Sequence, residues 1–175
     1  TDLKKVALVN DVSRRISSGA LDLKSAMKTL REIESARLMY PFWIQVFAAA
    51  LASGCFTIMF LGTWPDFLPS FLAGGAGYYF MVMFHRMIPV RFFSEFCASV
   101  VIGLISVICV GNGIGTELDK IIIGAVMPLV PGLLITNAVR DLMAGHLVSG
   151  ISKGADAFLT AFAIGSGIAS VLSFL

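Results

Sequence analysis

Charged residues are scarce after the first forty positions of this sequence. Of 175 residues, 24 are Asp, Glu, Lys or Arg, and 13 of these lie in residues 1–40, so the other 135 residues share only 11. Soluble domains carry about 25% charged residues, whereas this chain carries 14% and is 57% hydrophobic. The scarcity argues against an ordinary soluble domain in residues 41–175 and predicts a membrane domain there.

Cysteine and histidine are too few and too scattered for a disulfide framework or a metal site. Cys55, Cys97 and Cys109 each lie inside an apolar run, which is typical of buried thiols, and His85 and His146 are far apart. The sequence also has no phosphate-binding loop, no arrangement of nucleophile and base, and no basic patch for nucleic acid. We therefore expect no cofactor, no metal, no nucleic-acid partner and no enzymatic activity.

Residues 1–40 are polar but carry apolar residues at helical spacing. Gly19 separates the two series, and the net charge of the segment is +3. The spacing predicts an amphipathic helical hairpin, which either packs on other cytosolic residues or lies on the membrane surface. Because the first residue is not methionine, we expect an N-terminal part to be missing. The apolar residues of the two series are Leu3, Val6, Val9, Val12 and Ile16, then Leu23, Met27, Leu30 and Ile33.

Residues 41–175 contain five stretches long and apolar enough to cross a bilayer. About 20 apolar residues in a helix span the hydrocarbon core, where backbone groups find no water. The sequence therefore predicts an all-α integral membrane protein of about five transmembrane helices, preceded by the cytoplasmic hairpin of residues 1–40. The predicted spans are Phe42–Leu61, Phe67–Phe84, Phe92–Val110, Ile121–Val139 and Ala157–Leu175.

The distribution of basic residues predicts the orientation of these spans. Segments on the cytoplasmic side of a membrane are enriched in Lys and Arg. A cytoplasmic N-terminus places 12 of the 13 Lys and Arg residues inside and leaves only Lys120 outside. We therefore predict a multi-pass protein of the cytoplasmic membrane, with its N-terminus inside and its C-terminus outside.

The fourth predicted span contains residues that break helices. Pro128, Pro131 and Gly132 lie close together within it. Each proline lacks a backbone donor and clashes with the preceding turn, so the helix should kink or unwind near the bilayer midplane. Broken helices present polar backbone to substrates in many transporters. A kink that serves packing alone is the other interpretation, and the residues leave both open.

Ionisable residues near the spans are further candidates. Asn137, Arg140 and Asp141 share one helical face by their spacing. Arg140 could hold a substrate carboxylate, and Asp141 could hold an amine or a proton. Alternatively, Arg140 extends to the lipid headgroups and Asp141 neutralises it. Glu95, in the first turn of the third span and near Arg91, is a possible ionisable auxiliary.

Three motifs in the second half of the chain resemble the signature of the threonine/serine exporter family. They are Met127-Pro-Leu-Val-Pro-Gly132, Asn137-Ala-Val-Arg-Asp-Leu142 and Gly145-His-Leu-Val-Ser-Gly150. The resemblance covers nearly the whole chain and is closest to the five-span larger subunit of two-component members. Lys153 departs from the pattern, because many relatives carry arginine there and only arginine offers a bidentate fork.

The resemblance implies export of small polar metabolites, chiefly threonine and serine, driven by the proton gradient. It also implies a second small membrane subunit and an oligomer. Two alternatives stay open, because an arginine and backbone donors would also suit a small dicarboxylate such as succinate, and an odd number of spans would also suit a structural or assembly subunit that transports nothing alone.

Overall fold

The computed structural model describes residues 3–35, 40–88, 90 and 92–174, and the regular structure of these residues is entirely helical. This confirms the predicted all-α class. Within the described residues, eight α-helices follow one another, with a short 3-10 turn at Met127–Leu129 between the sixth and the seventh. They are α1 Leu3–Ser17, α2 Leu23–Ser35, α3 Phe42–Met59, α4 Trp64–Met87, α5 Phe93–Gly111, α6 Leu118–Val126, α7 Gly132–Met143 and α8 Leu147–Leu172.

The chain divides into two compact units, Thr1–Phe42 and Trp43–Leu175. In the first unit, α1 and α2 pack against each other around Val12, Ala26 and Ile33. Of the predicted apolar residues of α2, Ile33 and Leu30 pack in this hairpin, whereas Leu23 and Met27 are exposed and Ala26 is buried. The placement of this unit in the cytoplasm stays a prediction.

The second unit contains the candidate membrane spans. Helices α3, α4, α5 and α8 are each long and apolar enough to cross a bilayer. The pair formed by α6, with its 3-10 turn, and α7 passes the same test together and is bent by 65°, as in a broken span or a re-entrant loop, so the described residues provide four spans, or five if the pair is one span. The prediction of about five spans is therefore confirmed for the described residues.

The last helix begins earlier than the sequence predicted. Residues 140–156 were expected to form a connection, but α7 continues to Met143 and α8 begins at Leu147. The turn between them contains Gly145 in the left-handed region, at φ 81°. The polar residues at the start of α8 lower its hydropathy, but they do not prevent a helix that packs along α7.

The core of the second unit combines small residues with a few large aliphatic ones. Its centre consists of Ala73, Ala98, Ile102, Ala125, Leu129 and Ile164. Helices α4 and α5 approach closely because Gly77 lies against Ile102, where a Cβ atom would come within 2.5 Å of the isoleucine side chain. Such close approach supplies the van der Waals contact that holds membrane helices together.

Candidate substrate path at the broken helix

The broken span is interrupted near its middle. Helix α6 ends at Val126, the 3-10 turn contains Pro128, and Pro131 precedes α7 with φ −79° and ψ 53°. A proline ring removes a backbone donor and cannot follow an ideal helical turn. The predicted break at Pro128, Pro131 and Gly132 is thus present, and the axis bends by 65° across it.

Backbone polar groups are concentrated at this break. The N–H of Val130 donates to the carbonyl of Met127 at 3.2 Å, and the N–H of Gly132 donates to the carbonyl of Val130 at 2.8 Å. The first turn of an α-helix has N–H groups without a partner inside the helix, and these carry partial positive charge. The start of α7 therefore presents donors to the space beside the break.

The break is open on the surface of this chain. A Cβ atom built on Gly132 would meet nothing within 4 Å, and Val130 is 40% exposed. A small molecule could therefore approach the backbone here without displacing any described side chain.

The half of the span before the break packs closely on α3, α4 and α5. The hydroxyl of Thr57 donates to that of Ser70 at 2.6 Å, and the Ser70 hydroxyl donates to the carbonyl of Ser53 at 3.1 Å. All three side chains are fully buried. Gly124 of α6 lies so close that its Cβ atom would stand 2.9 Å from the Ser53 carbonyl oxygen. Helix α6 therefore packs against the α3 backbone at the point where α3 is hydrogen-bonded to α4.

Among the described residues, the half of the span after the break has fewer packing partners than the half before it. Helix α7 packs mainly along α8, and Ala138 is its one buried residue. Leu142 fits over Gly150, which has no side chain to obstruct it. The rest of α7 is wholly or partly exposed in this chain. The two halves of the span thus differ sharply in how they are supported.

The three predicted polar residues lie on one side of α7, but only Asp141 has a hydrogen-bond partner among the described residues. The Asp141 carboxylate accepts a hydrogen bond from Lys153 Nζ at 2.6 Å and another from Ser149 Oγ at 2.6 Å. The side chains of Asn137 and Arg140 are exposed and form no hydrogen bond or ion pair with the described part of the chain. Lys153 therefore neutralises Asp141, and the charge of Arg140 stays available.

Lys153 was absent from the predicted site. It lies twelve residues beyond Asp141, on another helix, so the sequence spacing alone does not connect them. The sequence signal that pointed to this residue was the family resemblance, because many relatives carry arginine at this position. The contact makes a structural ion pair between α7 and α8 the simplest role for a basic residue at this position.

A second polar cluster, which the sequence did not predict, lies at the opposite end of the broken span. The fully buried Asp66 carboxylate accepts from the N–H of Thr63 at 2.8 Å and of Thr116 at 2.6 Å. It also accepts from the Thr63 hydroxyl at 2.6 Å and the N–H of Glu117 at 3.1 Å. These bonds tie the start of α4 to the segment before α6. The sequence signal that could have revealed Asp66 is the Thr63-x-x-Asp66 pattern, which is typical of a capping box at the start of a helix.

Glu95 lies in the first turn of α5, as predicted. Its Oε2 atom is buried and has no hydrogen-bond partner among the described residues, and the same holds for Oγ of the neighbouring Ser94. Arg91, beside which the sequence placed it, lies outside the described residues. A carboxylate oxygen in such a position is suited to holding a proton or a cation.

The described residues contain no group of three or more His, Cys, Asp or Glu side chains that could hold a metal ion. The polar groups described here are the backbone donors at the break, the Arg140 guanidinium, and the Glu95 carboxyl group with its buried Oε2 atom.

Comparison with known proteins bears on this site. The family model described as "Putative threonine/serine exporter" matches residues 1–175. An uncharacterised protein of Schizosaccharomyces pombe is 28% identical over 160 residues, which are 86% of this chain and 19% of that protein. Proteins named "Probable succinate transporter subunit YjjP" match from Klebsiella aerogenes, at 28% over 156 residues, and from Escherichia coli, at 27% over 157 residues.

The chain covers only part of these relatives. Each YjjP match takes in 87% of this chain but 59% of the relative's length. No solved structure matches the chain.

Proposed function

The chain belongs to the threonine/serine exporter family, and from this premise we propose that it is a subunit of an exporter for small polar metabolites, with threonine and serine as substrates. The observation that carries the proposal is the open break at Pro131 and Gly132, with the available charge of Arg140 eight residues further along the same helix. At 1.5 Å per residue these features are about 12 Å apart. Substrate passes along this side of α7.

Each polar group has a distinct role in this proposal. Pro128, Pro131 and Gly132 open the backbone, so that the donors at the start of α7 bind the substrate within the membrane. Arg140 attracts the substrate carboxylate from the cytoplasm, and Asn137 lies one turn closer to the break. Asp141 is engaged by Lys153 and sets the position of α7 against α8.

Export against a gradient needs an energy source, and we propose the proton gradient. Glu95 is the auxiliary that carries the proton, because its Oε2 atom is buried without a partner among the described residues. A carboxyl group can take up a proton on one side of the membrane and release it on the other. The proposed orientation has the N-terminus in the cytoplasm, as the distribution of Lys and Arg indicates.

A small dicarboxylate such as succinate is the second candidate substrate. Two relatives are named as probable succinate transporter subunits. Threonine, serine and succinate all carry a carboxylate, which a guanidinium binds in the same way. The two candidates differ in whether the second polar group is an ammonium or another carboxylate.

Efflux from loaded cells tests both candidates. Cells that express this chain, alone and with a candidate second membrane subunit, are loaded with labelled threonine or labelled succinate. We expect threonine efflux that depends on both proteins. Efflux of succinate but not of threonine would assign succinate as the substrate in place of threonine. If neither solute leaves the cells although both proteins are present in the membrane, the proposal of a structural or assembly subunit would take the place of the exporter.

Arg140→Ala is expected to abolish efflux without lowering the amount of protein in the membrane, because Arg140 has no partner to lose within the described chain. Arg140→Lys keeps the charge but not the bidentate fork, and should retain partial efflux. Full efflux by the alanine variant would contradict the role assigned to Arg140.

A further inference from the structure

Helix α7 and the start of α8 are tied together by both polar and apolar contacts. Close to the turn between them, the Asp141 carboxylate of α7 accepts hydrogen bonds from Ser149 and Lys153 of α8, both at 2.6 Å. The apolar packing beside this pair is close, because a Cβ atom on Gly150 would stand 2.6 Å from the Leu142 side chain. A displacement of α7 along α8 would break all of these contacts.

A second glycine extends the contact between α7 and α8 toward the break. A Cβ atom built on Gly154 would lie 3.9 Å from that of Ala138, the buried residue of α7. Gly150 and Gly154 are four residues apart and so lie on one face of α8. Small residues at this spacing let membrane helices approach closely. The two helices thus form one packed group, named here the α7–α8 arm, which comprises Gly132–Met143 and Leu147–Leu172.

The half of the broken span before the break belongs to a different packed group. A Cβ atom on Gly124 of α6 would stand 2.9 Å from the Ser53 carbonyl oxygen of α3, and one on Gly74 of α4 would stand 3.2 Å from the Ala125 carbonyl oxygen. The Asp66 carboxylate ties the start of α4 to the segment before α6. Helix α5 packs on both α4 and α6. Helices α3 to α6 are named here the scaffold.

The arm and the scaffold meet at the break and along α5. At the break the backbone of Pro131 leaves the helical region, and the axis bends by 65°. Along α5, a Cβ atom on Gly103 would lie 3.1 Å from that of Val171, and one on Gly167 would lie 2.6 Å from the Phe96 carbonyl oxygen. These are van der Waals contacts of small residues, and packed helices slide over one another at such contacts by shear.

We propose that the α7–α8 arm is the moving part of the exporter, and that it turns as one rigid body about the bend at residues 130–132 while the scaffold stays fixed. The movement combines a hinge at the break with shear of α8 on α5. It opens the path beside α7 to one side of the membrane at a time. This consequence rests on the proposed function, whereas the division into arm and scaffold is tested without transport.

A disulfide within the arm tests whether α7 and α8 move together. Ala138→Cys and Gly154→Cys place two Cβ atoms 3.9 Å apart, inside the range of about 3.5–4.5 Å that disulfides require. The full chain carries alanine in place of Cys55, Cys97 and Cys109, so that no other thiol competes. We expect oxidation to form the bond and to leave efflux unchanged. Loss of efflux on oxidation would overturn the inference, because it would show that α7 moves against α8.

A disulfide between the scaffold and the arm provides the matched comparison. Gly103→Cys and Val171→Cys join α5 to α8, and a shift of a few tenths of an ångström brings their Cβ atoms from 3.1 Å into disulfide range. We expect oxidation of this pair to reduce efflux several-fold and reductant to restore it, which also shows that the variant is folded. Full efflux by the oxidised pair would overturn the inference.

Distances between spin labels test the same division in the purified full chain in nanodiscs. One pair, Met143 and Leu172, lies within the arm, and the other joins Met143 to Met59 at the end of α3; all three side chains are exposed. We expect electron–electron resonance to give one distance for the first pair and two for the second. Two distances for the first pair, or one for the second, would overturn the inference.

The distance measurement and the efflux assay fail independently. Two distances for the second label pair without efflux of threonine or succinate would reject the proposed function and keep the moving arm. Efflux with a single distance for that pair would reject the moving arm and keep the function.

Discussion

The buried Asp66 carboxylate provides a stringent test of how the broken span is anchored. Its two oxygen atoms accept six hydrogen-bond contacts between 2.6 and 3.3 Å from Thr63, Thr116 and Glu117. Asp66→Asn keeps the shape but replaces one acceptor oxygen with a donor. At least one backbone N–H then faces an NH2 group, and the other bonds lose the charge that strengthens them.

The expected cost follows from the hydrogen bonds that change. An unsatisfied donor costs about 1–3 kcal/mol when buried, and bonds to a charged group contribute about 1.5–3 kcal/mol against about 0.5–1.5 for neutral ones. Water reaches the exposed Thr63 and Thr116 residues and lowers the penalty. We therefore expect Asp66→Asn to destabilise the protein by about 1–3 kcal/mol. In a chain of this size, that lowers the melting temperature by roughly 5 °C.

Thermal aggregation of the detergent-solubilised protein, followed by size-exclusion chromatography, measures this shift. Thr116→Val is the matched control, since it removes the hydroxyl bonds to Asp66 at 3.1 and 3.3 Å but keeps the backbone bond at 2.6 Å. It should cost less than about 1 kcal/mol. A melting temperature for Asp66→Asn equal to or above that of Thr116→Val would refute the reasoning.

Three further predictions concern the broken span and its surroundings. Gly124→Ala should destabilise the protein by about 1–3 kcal/mol through overpacking against the α3 backbone, whereas Gly132→Ala should leave the melting temperature unchanged, because its Cβ atom meets nothing within 4 Å. Lys153→Ala should lower the melting temperature less than Asp66→Asn does, because the partly exposed ion pair with Asp141 is screened; an equal or larger loss in the same melting assay would contradict this. Glu95→Gln should keep the amount of protein in the membrane but remove the dependence of threonine efflux on an imposed proton gradient, and unchanged dependence would exclude Glu95 as the proton carrier.

The broad features of the fold were predictable because they depend on local sequence. The division into a polar segment and an apolar body, and the number of spans, follow from the length of apolar runs. The start of α8 was not predictable in this way. Polar residues such as Lys153 and Asp156 lower the hydropathy of this stretch, so hydropathy alone predicts a loop where the structure has a helix. Their placement depends on packing along α7.

The candidate site was predictable in part. Pro128 and Pro131 break a helix by their own geometry, so the break could be located from the sequence. The spacing of Asn137, Arg140 and Asp141 placed them on one side of α7, but it did not reveal that Asp141 has another partner. The partner of Asp141 can be identified only when the position of α8 is known, because Lys153 and Ser149 lie on that helix.

By itself, the sequence determined an all-helical membrane protein with a broken fourth span and a polar group beyond the break. These properties follow from hydropathy, proline geometry and helical periodicity, each of which acts over a few residues. Only the tertiary structure decided that Lys153 neutralises Asp141 and that Asp66 joins Thr116, fifty residues away. Hydrogen bonds and ion pairs select partners by distance in space, and so the packing of the helices determines which charge is left available at Arg140.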